Sequence, residues 1–224
     1  MTLSENFPPV AAADALARML QAPLVPVFYH ADIEHAKQMV QACYAGGIRV
    51  FEFTNRGNNA LPVFRQLREF VWQECPELLL GIGTICNAET AEAFIAAGAD
   101  FVVQPITTAD VAAICRHHNV AWVPGVLTPN EIFQATRLGA GLVKIFPGNL
   151  VGPDYVKSIH GPMPQVKIMV TGGVEPTLES LAAWFGGGVS CVGIGSQLFK
   201  ESADPAALTA RVAELTSFIY SLKC

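Results

Sequence analysis

Two ionisable residues stand inside runs that are otherwise apolar: Lys144 in "GLVKIFPG" (141–148) and Glu52 in "RVFEFTN" (49–55). Runs of this kind read as strands covered on both faces. A charge buried there is costly unless it is paired or discharged. The two residues therefore have two readings. In one, they form an internal ion pair that satisfies both charges. In the other, they do chemistry. A free lysine has a pKa of ~10.4, so only roughly 0.04% of it is neutral at pH 7. An apolar barrel interior disfavours the ammonium and supplies the neutral amine. Such an amine attacks a ketone carbonyl and forms an iminium, an electron sink for carbon–carbon bond chemistry. Glu52 would move the protons that this chemistry requires. A Lys–Glu pair suits both readings, so pairing alone does not separate them.

Other polar residues gather at the ends of similar runs. Glu52, Thr54 and Arg56 are spaced by two, which places them on one face of a strand. Arg56 offers a guanidinium fork, and Thr84, closing "GIGT", a hydroxyl; together they suit a substrate carboxylate. Taken singly, Arg56 also reads as a solvated loop arginine and Thr84 as a tight strand end. "TGG" (Thr171, Gly172, Gly173) and "GIGS" (Gly193 to Ser196, with Gly195) end two successive runs. Glycines let the backbone approach an anion, with N–H groups and a helix N-terminus facing it. One such loop is an ordinary turn; two on adjacent strands predict a phosphate site. His30 ends the first run and is a candidate to face the site, His117 and His118 read as solvent-facing, and His35 and His160 have no obvious company. No histidine or cysteine cluster has metal-ligand spacing, so no catalytic metal is expected.

These residues need a scaffold that collects strand ends. The apolar runs are 24–30, 49–55, 78–84, 101–105, 121–125, 142–147, 167–173 and 191–196. Between them, Ala, Leu and Ile recur at helical spacing, several segments opening on a capping residue (Asp32, Asn87, Thr108, Thr128) and several ending in glycine. Strands alternating with helices imply parallel pairing through right-handed crossovers. Eight such units predict an α/β chain folded as a (β/α)8 TIM barrel with its chemistry at the C-terminal strand ends. An open doubly wound sheet is the rival, and no GxGxxG follows the first strand to support it. Residues 9–21 predict an extra N-terminal helix that plugs the barrel floor. The expectation is one domain over 1–224, with the barrel at about 24–200 and a C-terminal helix at about 204–220.

Bulk composition excludes several classes. The chain has 224 residues, is 51% hydrophobic and 15% charged, and has a net charge of −5, which leaves a large core and little attraction for nucleic acid. No run approaches a membrane span, and the first twenty residues lack the pattern of a signal peptide, so the expected compartment is the cytoplasm. There, the six cysteines (43, 75, 86, 115, 191, 224) are expected as small core residues, not disulfides.

"RVFEFTNR", "GIGT", "VPGVLTPNE", "VKIFPG", "GPMPQVKIMVTGGV" and "CVGIGS" resemble the 2-keto-3-deoxy-6-phosphogluconate (KDPG) / 4-hydroxy-2-oxoglutarate (KHG) aldolase family. The resemblance runs in consistent order from about residue 24 to 200. It implies a metal-free, cofactor-free class I aldolase on a (β/α)8 barrel, a homotrimer acting on a phosphorylated 2-oxo acid in Entner–Doudoroff-type sugar-acid breakdown. It implies that Lys144 is the Schiff-base lysine and Glu52 the general acid/base. Arg56 and Thr84 match pyruvate-carboxylate contacts. Pro105, Phe146 and Thr171 match pocket residues, and Gly172, Gly173, Gly195 and Ser196 the phosphate site. Three departures surround the expected entrance: Gln104-Pro105-Ile106 where Ser-Pro is frequent, Tyr29 followed by His30 where many members carry arginine, and a polar "FTNRGNNA". They bear on the aldehyde tail. Two rival readings of the same residues are a phosphate-binding barrel isomerase or epimerase without a covalent intermediate, and a sugar-acid binding protein without turnover.

Overall fold

A computed structural model of the chain describes residues 8–200 and 204–223. Among them lie nine strands, all paired in parallel: β1 (Leu24–Phe28), β2 (Val50–Thr54), β3 (Leu79–Gly83), β4 (Phe101–Val103), β5 (Ala121–Val123), β6 (Gly125–Val126), β7 (Val143–Ile145), β8 (Ile168–Thr171) and β9 (Cys191–Ile194). The helices are α1 (Ala12–Gln21), α2 (Ile33–Ala45), α3 (Ala60–Glu74), α4 (Ala88–Ala96), α5 (Ala109–His117), α6 (Pro129–Arg137), α7 (Pro153–His160), α8 (Leu178–Gly186), the one-turn α9 (Ser196–Lys200) and α10 (Pro205–Lys223). The fifth expected strand is split at Pro124, which has no N–H to give a ladder. Its first half, β5, pairs with β4, and its second half, β6, pairs with β7. The sheet order β5-β4-β3-β2-β1-β9-β8-β7-β6 therefore begins and ends in one stretch of chain, which closes the (β/α)8 barrel.

Local chemistry sets the helix starts. Asp32 accepts the N–H groups of Glu34 and His35, and these bonds hold its carboxyl below the usual carboxylate range. Asn87 caps α4, and Thr128 forms a capping box with Glu131. Thr108 departs from expectation. It sits at the N-cap of α5 without capping it, because its hydroxyl accepts from Gln104 Nε2 at 3.1 Å instead.

The side-chain period of two sorts the core into two layers. Phe51, Phe53, Val143 and Ile145 face outward to the helices. Val50, Leu79, Phe101, Ala121, Leu142, Met169 and Cys191 face inward at the bottom of the barrel, where Ala15 and Met19 of α1 close the floor. Glu52 and Lys144 follow Val50 and Leu142 by two positions, so both enter the lumen one layer above an apolar floor. Of the cysteines, Cys43, Cys75, Cys115 and Cys191 are buried and unbridged, and burial pushes the Cys115 thiol up to about 12. Cys86 is exposed, against the expectation of a core residue, because it falls in the loop after β3; Cys224 lies outside the described residues.

One buried ion pair ties the lower half together. Arg68 of α3 donates to Asp100 Oδ2 at 2.7 Å, the same oxygen accepts Leu80 N–H at 2.9 Å, and Oδ1 accepts Val10 N–H at 3.1 Å. Removing one partner strands a buried charge. Arg68→Met is expected to lower unfolding stability by about 3–5 kcal/mol, read from the urea midpoint. A loss below about 1 kcal/mol would mean the clasp is dispensable.

Candidate active site

Lys144 is the middle residue of β7, where its N–H donates to the Pro124 carbonyl at 2.8 Å. Its side chain is 8% exposed, and Nζ lies 3.6 Å from Oε1 of Glu52, which is 0% exposed. Nζ also sits 5.3 Å from the centroid of the Phe146 ring. Neither Glu52 oxygen accepts a hydrogen bond from a described residue. A buried carboxylate left this poorly satisfied is expensive, so the site holds it for something other than stability. Neighbouring strands make the room. β2 and β3 place Glu52 beside Gly81 and Thr54 beside Gly83, and a Cβ on Gly83 would collide with the Glu52 carboxylate.

Lys144 lies in a cavity of about 760 Å³ at the C-terminal strand ends. Arg56 and Thr84 line it from the loops after β2 and β3, and Pro105 from the loop after β4. Phe146 lines it beyond β7, Thr171, Gly172 and Gly173 from the end of β8, and Gly195 and Ser196 from the junction of β9 and α9. The structure thus brings all eleven sequence-predicted site residues together, with Glu52 behind Lys144, not in the wall itself. Thr84 has φ of 64°, an uncommon left-handed conformation for a β-branched residue, and such strain collects at functional sites. Thr171 Oγ1 is buried and has no partner among the described residues.

The two glycine loops line the cavity from the ends of adjacent strands β8 and β9. Gly172 and Gly173 have φ of 78° and 88°, and a Cβ on Gly173 would collide with Asn149. Asn149 donates its N–H to the Gly172 carbonyl at 2.8 Å and so supports the loop. Among the described residues, the N–H groups of Gly173, Val174 and Ser196 donate to no protein acceptor. Free donors on a glycine-lined wall suit an anion.

Several sequence expectations change. Gln104 does not face the entrance: it is fully buried in the outer layer, where it accepts Trp122 Nε1–H at 2.8 Å. Its parity with outward-facing Val102 was the available signal. His30 is not among the residues that line the cavity; it packs on His35, ring centroids 4.3 Å apart, so His35 has company after all. His118 contacts Glu92 at 2.8 Å. Tyr29 lines an adjoining smaller cavity, and Ile106 is exposed. The cavity also recruits Val27, Asn149, Gln197 and Lys200, which sequence reasoning passed over. Lys200 alone carried a signal, standing four residues after Ser196 and hence on the same helical face. Among the described residues, no group of three or more His, Cys, Asp or Glu side chains could hold a metal ion, and no helix is long and apolar enough to cross a membrane.

Residues 16–214 match the family model for KDPG and KHG aldolase. A 2-dehydro-3-deoxy-phosphogluconate aldolase of Pseudoalteromonas atlantica is 35% identical over 198 residues, covering 87% of this chain and 88% of the relative. The crystal structure of the 2-keto-3-deoxy-6-phosphogluconate aldolase of Zymomonas mobilis with 3-phosphoglycerate superposes with a TM-score of 0.80 at 32% identity, over 93% of this chain and 97% of that one. The KDPG aldolase of Legionella pneumophila, with pyruvate captured as a covalent carbinolamine, gives a TM-score of 0.80 at 27% identity, over 90% of this chain and 97% of that one. With the match spanning nearly the whole barrel and a buried lysine–glutamate pair at its mouth, the chain belongs to the KDPG and KHG aldolase family.

Proposed function

We propose that this protein is a class I aldolase that reversibly cleaves a KDPG-type acid, or 4-hydroxy-2-oxoglutarate, to pyruvate and an aldehyde, glyceraldehyde 3-phosphate or glyoxylate. The observation that carries the reading is Lys144 Nζ, nearly buried and 3.6 Å from an otherwise unsatisfied Glu52 carboxylate, at the base of a cavity large enough for a six-carbon acid. Glu52 takes a proton from the ammonium, and the amine attacks C2 of the 2-oxo acid. Glu52 returns its proton to the carbinolamine hydroxyl, which leaves as water to give an iminium and restores the carboxylate. Glu52, acting through that water, takes the proton of the C4 hydroxyl. The C4 oxygen forms its carbonyl as the C3–C4 bond breaks, and the bonding pair moves into the iminium to give an enamine. Protonation at C3 and hydrolysis then release pyruvate and restore the amine. No cofactor is needed, because the iminium nitrogen is the electron sink.

Arg56 and Thr84 take the C1 carboxylate, and Pro105, Phe146 and Thr171 shape the wall around C2 and C3. The free N–H groups beside Gly172, Gly173, Gly195 and Ser196 take the terminal phosphate. The carbinolamine in the Legionella relative and the 3-phosphoglycerate in the Zymomonas relative support the two ends of this assignment. The protein works as a cytoplasmic homotrimer in Entner–Doudoroff-type breakdown; exposed Ile106, Phe133 and Leu150 are apolar surface that association would bury.

Treating the protein with pyruvate and borohydride tests the core of the reading. Intact mass is expected to rise by one reduced pyruvate imine, mapped to the peptide that carries Lys144. No adduct on folded protein in excess pyruvate would favour a paired structural lysine.

A further inference from the structure

The main cavity adjoins a second one of about 290 Å³. Val27, Arg56, Ser196 and Lys200 line both and form the rim between them. No Asp or Glu lines the main cavity, although the whole chain has a net charge of −5. Its cations are Lys144, paired with Glu52, and Arg56 and Lys200, which take part in no ion pair among the described residues.

The glycine wall offers free N–H groups, which carry only partial charge. Helix α9 has five residues and supplies no useful dipole. A phosphate monoester carries about −1.5 to −2 charge at pH 7 and calls for a full counter-charge. Lys144 is engaged with Glu52 and the C2 centre, and Arg56 with the carboxylate end. Lys200 remains. It lies one helical turn beyond Ser196, on the same helical face, and lines the same cavity.

We propose that Lys200 is a specificity-determining residue, whose ammonium binds the terminal phosphate of the aldehyde half and sets the preference for phosphorylated over unphosphorylated tails. The inference rests on the aldolase reading and adds a side-chain charge to a phosphate site otherwise built from backbone.

Lys200→Met and Lys200→Arg are compared with the parent protein on a phosphorylated 2-keto-3-deoxy acid and its unphosphorylated counterpart. In Lys200→Met, the ratio of the two kcat/KM values is expected to fall about 10- to 100-fold, mainly through KM of the phosphorylated acid. Lys200→Arg is expected to hold the ratio within about threefold, since the charge is kept. Added salt should erode the ratio of the parent more than that of Lys200→Met. An unchanged ratio in Lys200→Met, or equal losses on both acids, overturns the proposal. Calorimetric binding of inorganic phosphate gives a readout free of turnover: Lys200→Met should bind it about tenfold or more weakly, and equal affinity overturns the proposal. Pyruvate–borohydride trapping of the parent reports the aldolase reading separately. Its failure would end that reading and leave phosphate binding to decide the role of Lys200.

Discussion

Lys144→Ala is expected to lower kcat/KM by roughly 10⁴-fold or more, because it deletes the nucleophile and not merely a binding contact. The borohydride-trapped pyruvate adduct should vanish with it. The substitution also leaves Glu52, already without a hydrogen-bond donor among the described residues, facing an empty lumen. Truncating one member of a buried pair costs about 3–5 kcal/mol, so thermal unfolding must be followed beside turnover. Lys144→Arg separates the two effects. It keeps the cation opposite Glu52, 3.6 Å away in the parent, but guanidinium stays protonated and makes no iminium. Recovery of stability without recovery of turnover is the expected pattern. Near-normal cleavage by either variant would refute the Schiff-base mechanism, whatever the stability data show.

Glu52→Gln is expected to reduce kcat about 10²- to 10⁴-fold, the usual worth of a positioned acid/base. Glutamine preserves the shape that the glycine of β3 accommodates at Gly83, so the lumen need not repack. KM for the 2-oxo acid should change little, since Arg56 and Thr84 hold its carboxylate end. The pyruvate adduct should still form on Lys144, more slowly, because the nucleophile is intact. This pattern distinguishes a proton carrier from a mere counter-ion. If Glu52 only balanced the charge of Lys144, the variant would lose stability and keep kcat within about tenfold.

Much of this site can be read along the chain because strand period and burial are local properties. Glu52 two positions after Val50, and Lys144 two after Leu142, place both charges in the lumen once those segments are strands. The glycines of "TGG" mark a left-handed turn after β8 for the same local reason, whereas those of "GIGS" keep ordinary φ and lead straight from β9 into α9. Local pattern fails where two faces are both buried. Gln104 sits at a strand end like the site residues, yet the alternation that turns Phe101 and Val103 inward turns it outward to Trp122. His30 and His35 meet across the loop before α2, a contact that no periodicity announces.

By itself, the sequence determined the alternation of strands and helices, the apolar floor, the two charges standing above it, and the resemblance that names the chemistry. These follow from backbone period, helix capping and the cost of burying charge, all of which act within a few residues. Only the tertiary structure decided that Lys144 and Glu52 stand 3.6 Å apart, that the barrel closes through a strand broken at Pro124, and that Lys200 lines the same cavity as the glycine loops. Those facts depend on register and closure around the barrel, where residues remote in sequence are brought together by the hydrogen bonds of intervening strands.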